Sequence, residues 1–144
     1  MKRYGILTIL CLALGAVRAE AQTQPSISLL TQTGPAISGS AHPCLLLMQN
    51  VPTGSDLYFL LGDPGSSTIR CGNQMMAIPL TNIWVMGSGT SRGGSAWYGK
   101  FPVPADPSLI GWTPQLTAIA ALPNATFCVA PLVPFGPIIE DSIQ

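Results

Sequence analysis

Ser91 lies within Gly89-Thr90-Ser91-Arg92-Gly93, a match to the Gly-x-Ser-x-Gly pattern that carries the nucleophile of one large hydrolase class. That chemistry needs a strand before the serine and a helix after it, so that the hydroxyl stands on a strained turn. Here glycine and serine surround the motif, and the following Ser-Ala-Trp-Tyr-Gly-Lys-Phe reads as a strand. The sole histidine, His42, precedes the serine and adjoins Pro43. Triads occur in several chain orders, so order alone decides nothing. A general base also needs an orienting partner and a tuned pocket, and His42 reads as an ordinary loop residue. No catalytic residue is assigned, and the chain is expected not to be an enzyme.

Beyond residue 21 the carboxylates are Asp56, Asp63, Asp106, Glu140 and Asp141. Asp63 and Asp106 each precede a proline and read as turn or cap residues, which leaves no obvious pair to face across a cleft as glycoside hydrolysis requires. Glu140-Asp141 lacks a surrounding pattern of oxygen ligands for calcium. Cys44, Cys71 and Cys128 stand too far apart for a clustered zinc site. One disulfide among these three is expected if the protein is exported, and the spacing favours no pairing. No metal or cofactor is expected.

The aromatic residues are more suggestive. Trp97 and Tyr98 are adjacent on a predicted strand, so they point to opposite faces. Trp112 follows Gly111 at a strand entrance, and Trp84 follows Ile83. An exposed aromatic platform on a β-sandwich can stack on sugars, which makes Trp97, Tyr98 and Trp112 candidate ligand-binding residues. The competing expectation is that these rings fill the core of a small domain. Asn124-Ala125-Thr126 fits the N-glycosylation sequon, which has meaning only in a eukaryotic secretory pathway.

The elements that must position these groups read as short strands. Glycine and proline punctuate the chain roughly every eight to twelve residues, the spacing of an all-β sandwich or barrel. Strands are predicted at 26–31, 44–49, 56–61, 75–80, 83–86, 95–101, 115–122 and 126–132, with a last edge near 138–143. Gly62-Asp63-Pro64-Gly65 has strong turn chemistry and is expected to close the strand before it. Segment 87–95 is expected to be a flexible hairpin loop from its composition. Prolines break every helical window. Only Asp106-Pro107-Ser108-Leu109 suggests a helical turn, capped by Asp106 with Pro107 in the first position.

The first residues read as an export signal. Lys2 and Arg3 precede an apolar run over 6–17, and Ala19-Glu20-Ala21 offers small residues for cleavage. A membrane span needs about 20 apolar residues, and this run holds roughly a dozen before Arg18. Residues 1–21 are therefore expected to be a signal peptide and 22–144 a single domain, extracellular or periplasmic, without a membrane anchor. Loss of the leader leaves three cations against five carboxylates. With only Arg70, Arg92 and Lys100 positive, there is no basic surface for nucleic acid.

Two stretches are similar to a β-sandwich module found in secreted bacterial proteins. Phe101-Pro102-Val103-Pro104-Ala105-Asp106-Pro107-Ser108-Leu109-Ile110-Gly111, followed by a strand carrying Gln115, resembles its strand ending in Ile/Val-Pro, its short D-P-x-L-x-G turn and its next strand. Val51-Pro52-Thr53-Gly54 and Tyr58-Phe59-Leu60-Leu61-Gly62 resemble its hairpin, and Cys71-Gly72 falls where that module often carries cysteine. The resemblance implies an Ig-like antiparallel sandwich and assigns no catalytic residues. The expected function is a secreted, non-catalytic β-sandwich with a structural or interaction role toward a protein or glycan partner. A small carbohydrate-binding module is the alternative.

Overall fold

In the run Ala41–Gln49 (β3), His42, Cys44, Leu46 and Met48 alternate inward while Leu45 and Leu47 face out. This period-two burial is the signature of a strand with one covered face. The computed structural model describes residues 24–32, 34–71 and 74–141. The expected signal peptide over 1–21 lies outside these residues. Before β3 come Ser26–Thr31 (β1) and Ala36–Ile37 (β2). After it come Asp56–Cys71 (β4), Gln74–Thr90 (β5), Ala96–Pro102 (β6), Gln115–Ala121 (β7), Phe127–Val129 (β8), Val133–Pro134 (β9) and Ile138–Ile139 (β10).

The fold is an all-β sandwich. One antiparallel sheet has the order β1-β3-β6, and the other runs β5-β4-β7-β8 with β9 also on β7. Ile27, Leu29, Leu46 and Met48 of the first sheet meet Leu57, Phe59, Leu61, Leu116, Ala118 and Ala120 of the second in one core. A short parallel pair, β2 with β10, adds Ala36 and Ile138 to that core. The expected turn near Asp106 is present as a 3-10 turn over Pro107–Leu109, with the Asp106 carboxylate accepting from the Ser108 N–H at 2.9 Å.

Two sequence expectations are corrected, and both corrections concern glycine. Segment 87–95 is not one long loop, because residues 87–90 continue β5 opposite Asp56–Phe59. A Cβ at Gly87 would fall inside the Phe101 ring, and one at Gly89 would strike Trp97. Glycine is required there because the rings of β6 lie flat against the backbone of β5. Composition alone cannot distinguish a glycine that frees the chain from one that makes room for a neighbour.

The second correction is at Gly62-Asp63-Pro64-Gly65, which does not end the strand. Register shifts at Phe59/Leu60, Leu61/Asp63 and Pro64/Ser67 mark irregularities across it, and bulges bend a strand and increase its twist. A Cβ at Gly62 would stand 2.6 Å from the Thr81 carbonyl oxygen, and one at Gly65 would stand 2.7 Å from Thr81 Cγ2. The predicted strands 75–80 and 83–86 are thus one strand, with Asn82 taking positive φ at the bend. Beyond the bend, Met76, Ile78 and Leu80 form a second core with Leu60 and Ile119 from the outer face of the larger sheet. The distal half of the hairpin therefore lies over that face as a third layer. Pro64 and Pro79 are tolerated because β4 beyond Gly62 pairs only with β5, so each strand has one side free of ladder bonds there.

Replacing Gly87 by alanine forces the Phe101 ring from its seat and is expected to destabilise the fold by about 1–3 kcal/mol, the usual cost of overpacking. Urea unfolding of G87A checks this; an unchanged midpoint would contradict the close approach.

Candidate functional site

Strand β6 carries the two adjacent aromatic candidates, and the alternation separates them as expected. Trp97 turns inward and is half-buried, stacked on Phe59 at 5.2 Å and on Phe101 at 5.9 Å between ring centroids. Phe59 and Phe101 are 4.9 Å apart, closing a three-ring cluster. Each such pair contributes about 0.5–1.5 kcal/mol beyond its buried area. Tyr98 turns outward and is 59% exposed.

Trp112 occupies a different place. Its indole Nε1–H donates to Asp63 Oδ1 at 2.6 Å, while Asn82 Nδ2 donates to Asp63 Oδ2 at 2.9 Å. These donors hold the Asp63 carboxyl below the usual carboxylate range, the Asn82 bond contributing most. Asp63 is thus a clasp at the hairpin bend, and Trp112 also packs against the main core. It belongs to the structure's closure and does not join the other two aromatic residues.

Trp97 and Tyr98 do converge on one feature. A cleft of about 500 Å³ runs along the open side of the sandwich, lined by Gly89, Thr90, Arg92, Ala96, Trp97 and Tyr98 among others. On the outer face of the smaller sheet, the registers align Leu30 with Leu45 and Leu45 with Tyr98. Leu30 is 54% and Leu47 39% exposed. Tyr98 therefore joins an apolar row on a sheet surface to a cleft that carries a cation. The sequence alone does not mark this row, because 44–49 is a nearly continuous apolar run in which no face is distinguished as exposed.

Ser91 and His42 are far apart. Ser91 lies beside the start of β4, where its N–H donates to the Ser55 carbonyl and its carbonyl accepts from the Gly54 N–H, both at 2.8 Å. The Ser91 hydroxyl accepts from the Gly93 N–H at 3.3 Å. Met48 of β3 reaches the same end by donating to the Ser95 carbonyl. His42 is six residues further along β3, about 20 Å at strand rise. These two residues cannot form a nucleophile–base pair.

His42 is also corrected from loop residue to buried strand residue. Its ring centroid lies 4.4 Å from that of Phe135, and Nε2 has no hydrogen-bond partner among the described residues. Burial lowers its pKa, since the charged form loses hydration without a compensating partner.

Cys44 and Cys128 are both free thiols, so the expected disulfide is not formed between them. Burial pushes the Cys44 thiol up to about 11, which keeps it protonated and unreactive. Cys128 is raised in the same direction by burial and donates weakly to the Pro25 carbonyl at 3.4 Å. The backbone puts Cys71 at the end of β4, opposite Gln74 in the distal hairpin. Among the described residues no group of three or more His, Cys, Asp or Glu side chains could hold a metal ion. No described helix is long and apolar enough to cross a membrane.

No protein-family model matches the chain, and no curated protein matches it. Among solved structures it is similar to Spo0M, a sporulation control protein from Bacillus subtilis, at 10% identity and TM-score 0.40 over 80% of this chain and 49% of that one. It is also similar to a DUF4466 family protein from Parabacteroides merdae, at 14% identity and TM-score 0.43 over 78% of this chain and 43% of that one. The chain spans less than half the length of either.

His42, buried and with Nε2 lacking a partner among the described residues, sets a pH dependence. Its folded pKa is below the ordinary value of 6.5, so the unfolded state binds the proton more readily. Stability is therefore full above about pH 6.5 and falls as pH drops toward the folded value. Denaturant midpoints between pH 7.5 and pH 5 should decline in the natural protein and decline less in H42L; parallel slopes would remove His42 as the cause.

Proposed function

We propose that this chain is an exported, non-catalytic β-sandwich that works by recognition, and that the outer face of its smaller sheet is the recognition surface. The observation that carries the reading is the row Leu30–Leu45–Tyr98, in which half-buried Leu45 lies between exposed Leu30 and Tyr98, with exposed Leu47 beside it. Contiguous apolar side chains on a folded surface mark interaction sites when a polar rim surrounds them. Ser28, Gln49 and Lys100 supply polar neighbours in the same register. A flat apolar sheet face edged by polar groups suits a protein partner, with Tyr98 as the anchor type favoured at interfaces.

A glycan is the second reading. It is favoured by the cleft beside Tyr98, where an aromatic ring, Thr90 and Arg92 could meet hydroxyl or carboxylate groups. Trp97 is committed to its stack with Phe59 and Trp112 to Asp63, so this reading depends on Tyr98.

The double substitution L30E/L47E places charge on the outer face without entering the core. Co-purification of the natural protein from its source should recover a protein partner that L30E/L47E retains about ten-fold less, a loss of about 1.4 kcal/mol. Equal retention by the two forms would sink the protein reading. Retarded migration in polysaccharide gels, lost in Y98A, would transfer the assignment to a glycan.

A further inference from the structure

The outer face does not use all that β6 offers. The Met48 N–H donates to the Ser95 carbonyl, and the Val103 N–H to the Ser40 carbonyl. In this antiparallel register those bonds make Trp97, Gly99 and Phe101 the residues of β6 whose backbone groups face β3. Ala96, Tyr98 and Lys100 therefore turn their N–H and C=O groups the other way. No strand of the described residues lies on that side, since β6 ends the order of its sheet. The free ladder groups of Ala96 and Tyr98 open onto the cleft described above, whose far wall is Gly89 and Thr90 of β5.

Two cations stand at this edge. Lys100 is exposed on β6, and Arg92 lines the cleft. Neither forms an ion pair among the described residues. The carboxylate in register with the cleft wall is Asp56, exposed and opposite Thr90 on the other sheet, and no ion pair joins it to Arg92 among the described residues. Asp63 and Asp106 are held by their own donors. Two of the three cations in residues 22–144 thus flank the free edge of β6 beside Tyr98.

We propose that the edge of β6 takes an extended acidic peptide segment of a partner protein, added as a fourth strand beside Ala96–Lys100, with its carboxylates against Arg92 and Lys100. Main-chain bonds give such strand addition its affinity, and side-chain pockets its selectivity. Charge complementarity favours this occupant over a second copy of the chain, because a second β6 would bring more positive charge to the same edge. Pro102, which has no N–H, limits the addition to the Ala96–Lys100 stretch.

The inference rests on the recognition reading and adds its mode. The probe is a capped heptapeptide of alternating glutamate and valine, compared with its lysine–valine counterpart. Saturable binding by fluorescence anisotropy is expected for the acidic peptide, at least about ten-fold tighter than for the basic one. Hydrogen exchange of the Ala96, Tyr98 and Lys100 amides should slow on binding, and R92E/K100E should weaken binding about ten-fold. L30E/L47E leaves the edge intact and should still bind, so failure of the outer face and failure of the edge are separable. Absence of saturable binding, equal binding of the basic peptide, or binding without protection of those three amides overturns the proposal. Protection of the same amides by self-association, or by an anionic polysaccharide with none from the peptide, overturns it as well.

Discussion

The seating of Trp97 and Phe101 on the bare backbone of β5 joins the two sheets along their open side. Without side chains at Gly87 and Gly89, the rings reach the β5 backbone and stack on Phe59 from β4. The outward surface and the edge of β6 proposed for recognition follow from that seat. Once alternate residues are fixed inward as rings, Ala96, Tyr98 and Lys100 must face out. The same alternation sends their backbone groups to the free edge. One packing contact thus sets a core, an outer surface and an edge on seven residues.

The bend at Gly62–Gly65 has a complementary role. A two-stranded ribbon extended past the sandwich would expose Met76, Ile78 and Leu80 to water. Folding it back buries them against Leu60 and Ile119, at about 1.5–3 kcal/mol for each large side chain fully removed from water. The polar side of the bend is then secured by Asp63, which accepts from a residue on β5 and from Trp112 near β7. Both acceptors lie on one carboxylate, so the orientation of the distal hairpin is tied to the entry of β7.

Much of this was legible in sequence. The all-β class, most strand positions and the Asp106 cap follow from alternation and punctuation. That Trp97 and Tyr98 point to opposite faces follows from their adjacency, whereas which of them faces outward is set by the stack of Trp97 on Phe59. What was not legible depends on contacts remote in sequence. Gly87 and Gly89 look like linker residues until Trp97 and Phe101 are laid over them. Gly62-Asp63-Pro64-Gly65 has the composition of a hairpin turn, and only its pairing with Thr81 and Asn82 makes it a bend in two strands at once. His42 beside Pro43 carries no local sign of burial, because its burial comes from Phe135, more than ninety residues later.

The two outer faces of the sandwich are treated differently, and the proposed recognition role rests on this asymmetry. On the larger sheet the protein covers its own apolar residues with the distal hairpin. On the smaller sheet Leu30, Leu45, Leu47 and Tyr98 form a comparable apolar row that no described element covers. A chain that spends sixteen and seventeen residues on β4 and β5 to shield one face has the means to shield apolar surface. Leaving the other face bare costs solubility unless something docks there. The bare face also borders the strand edge with free ladder groups and unpaired cations. Exposed apolar surface, open backbone valences and uncompensated charge therefore coincide on one side of β6, and a partner that satisfies all three at once would recover free energy that the isolated fold leaves unused.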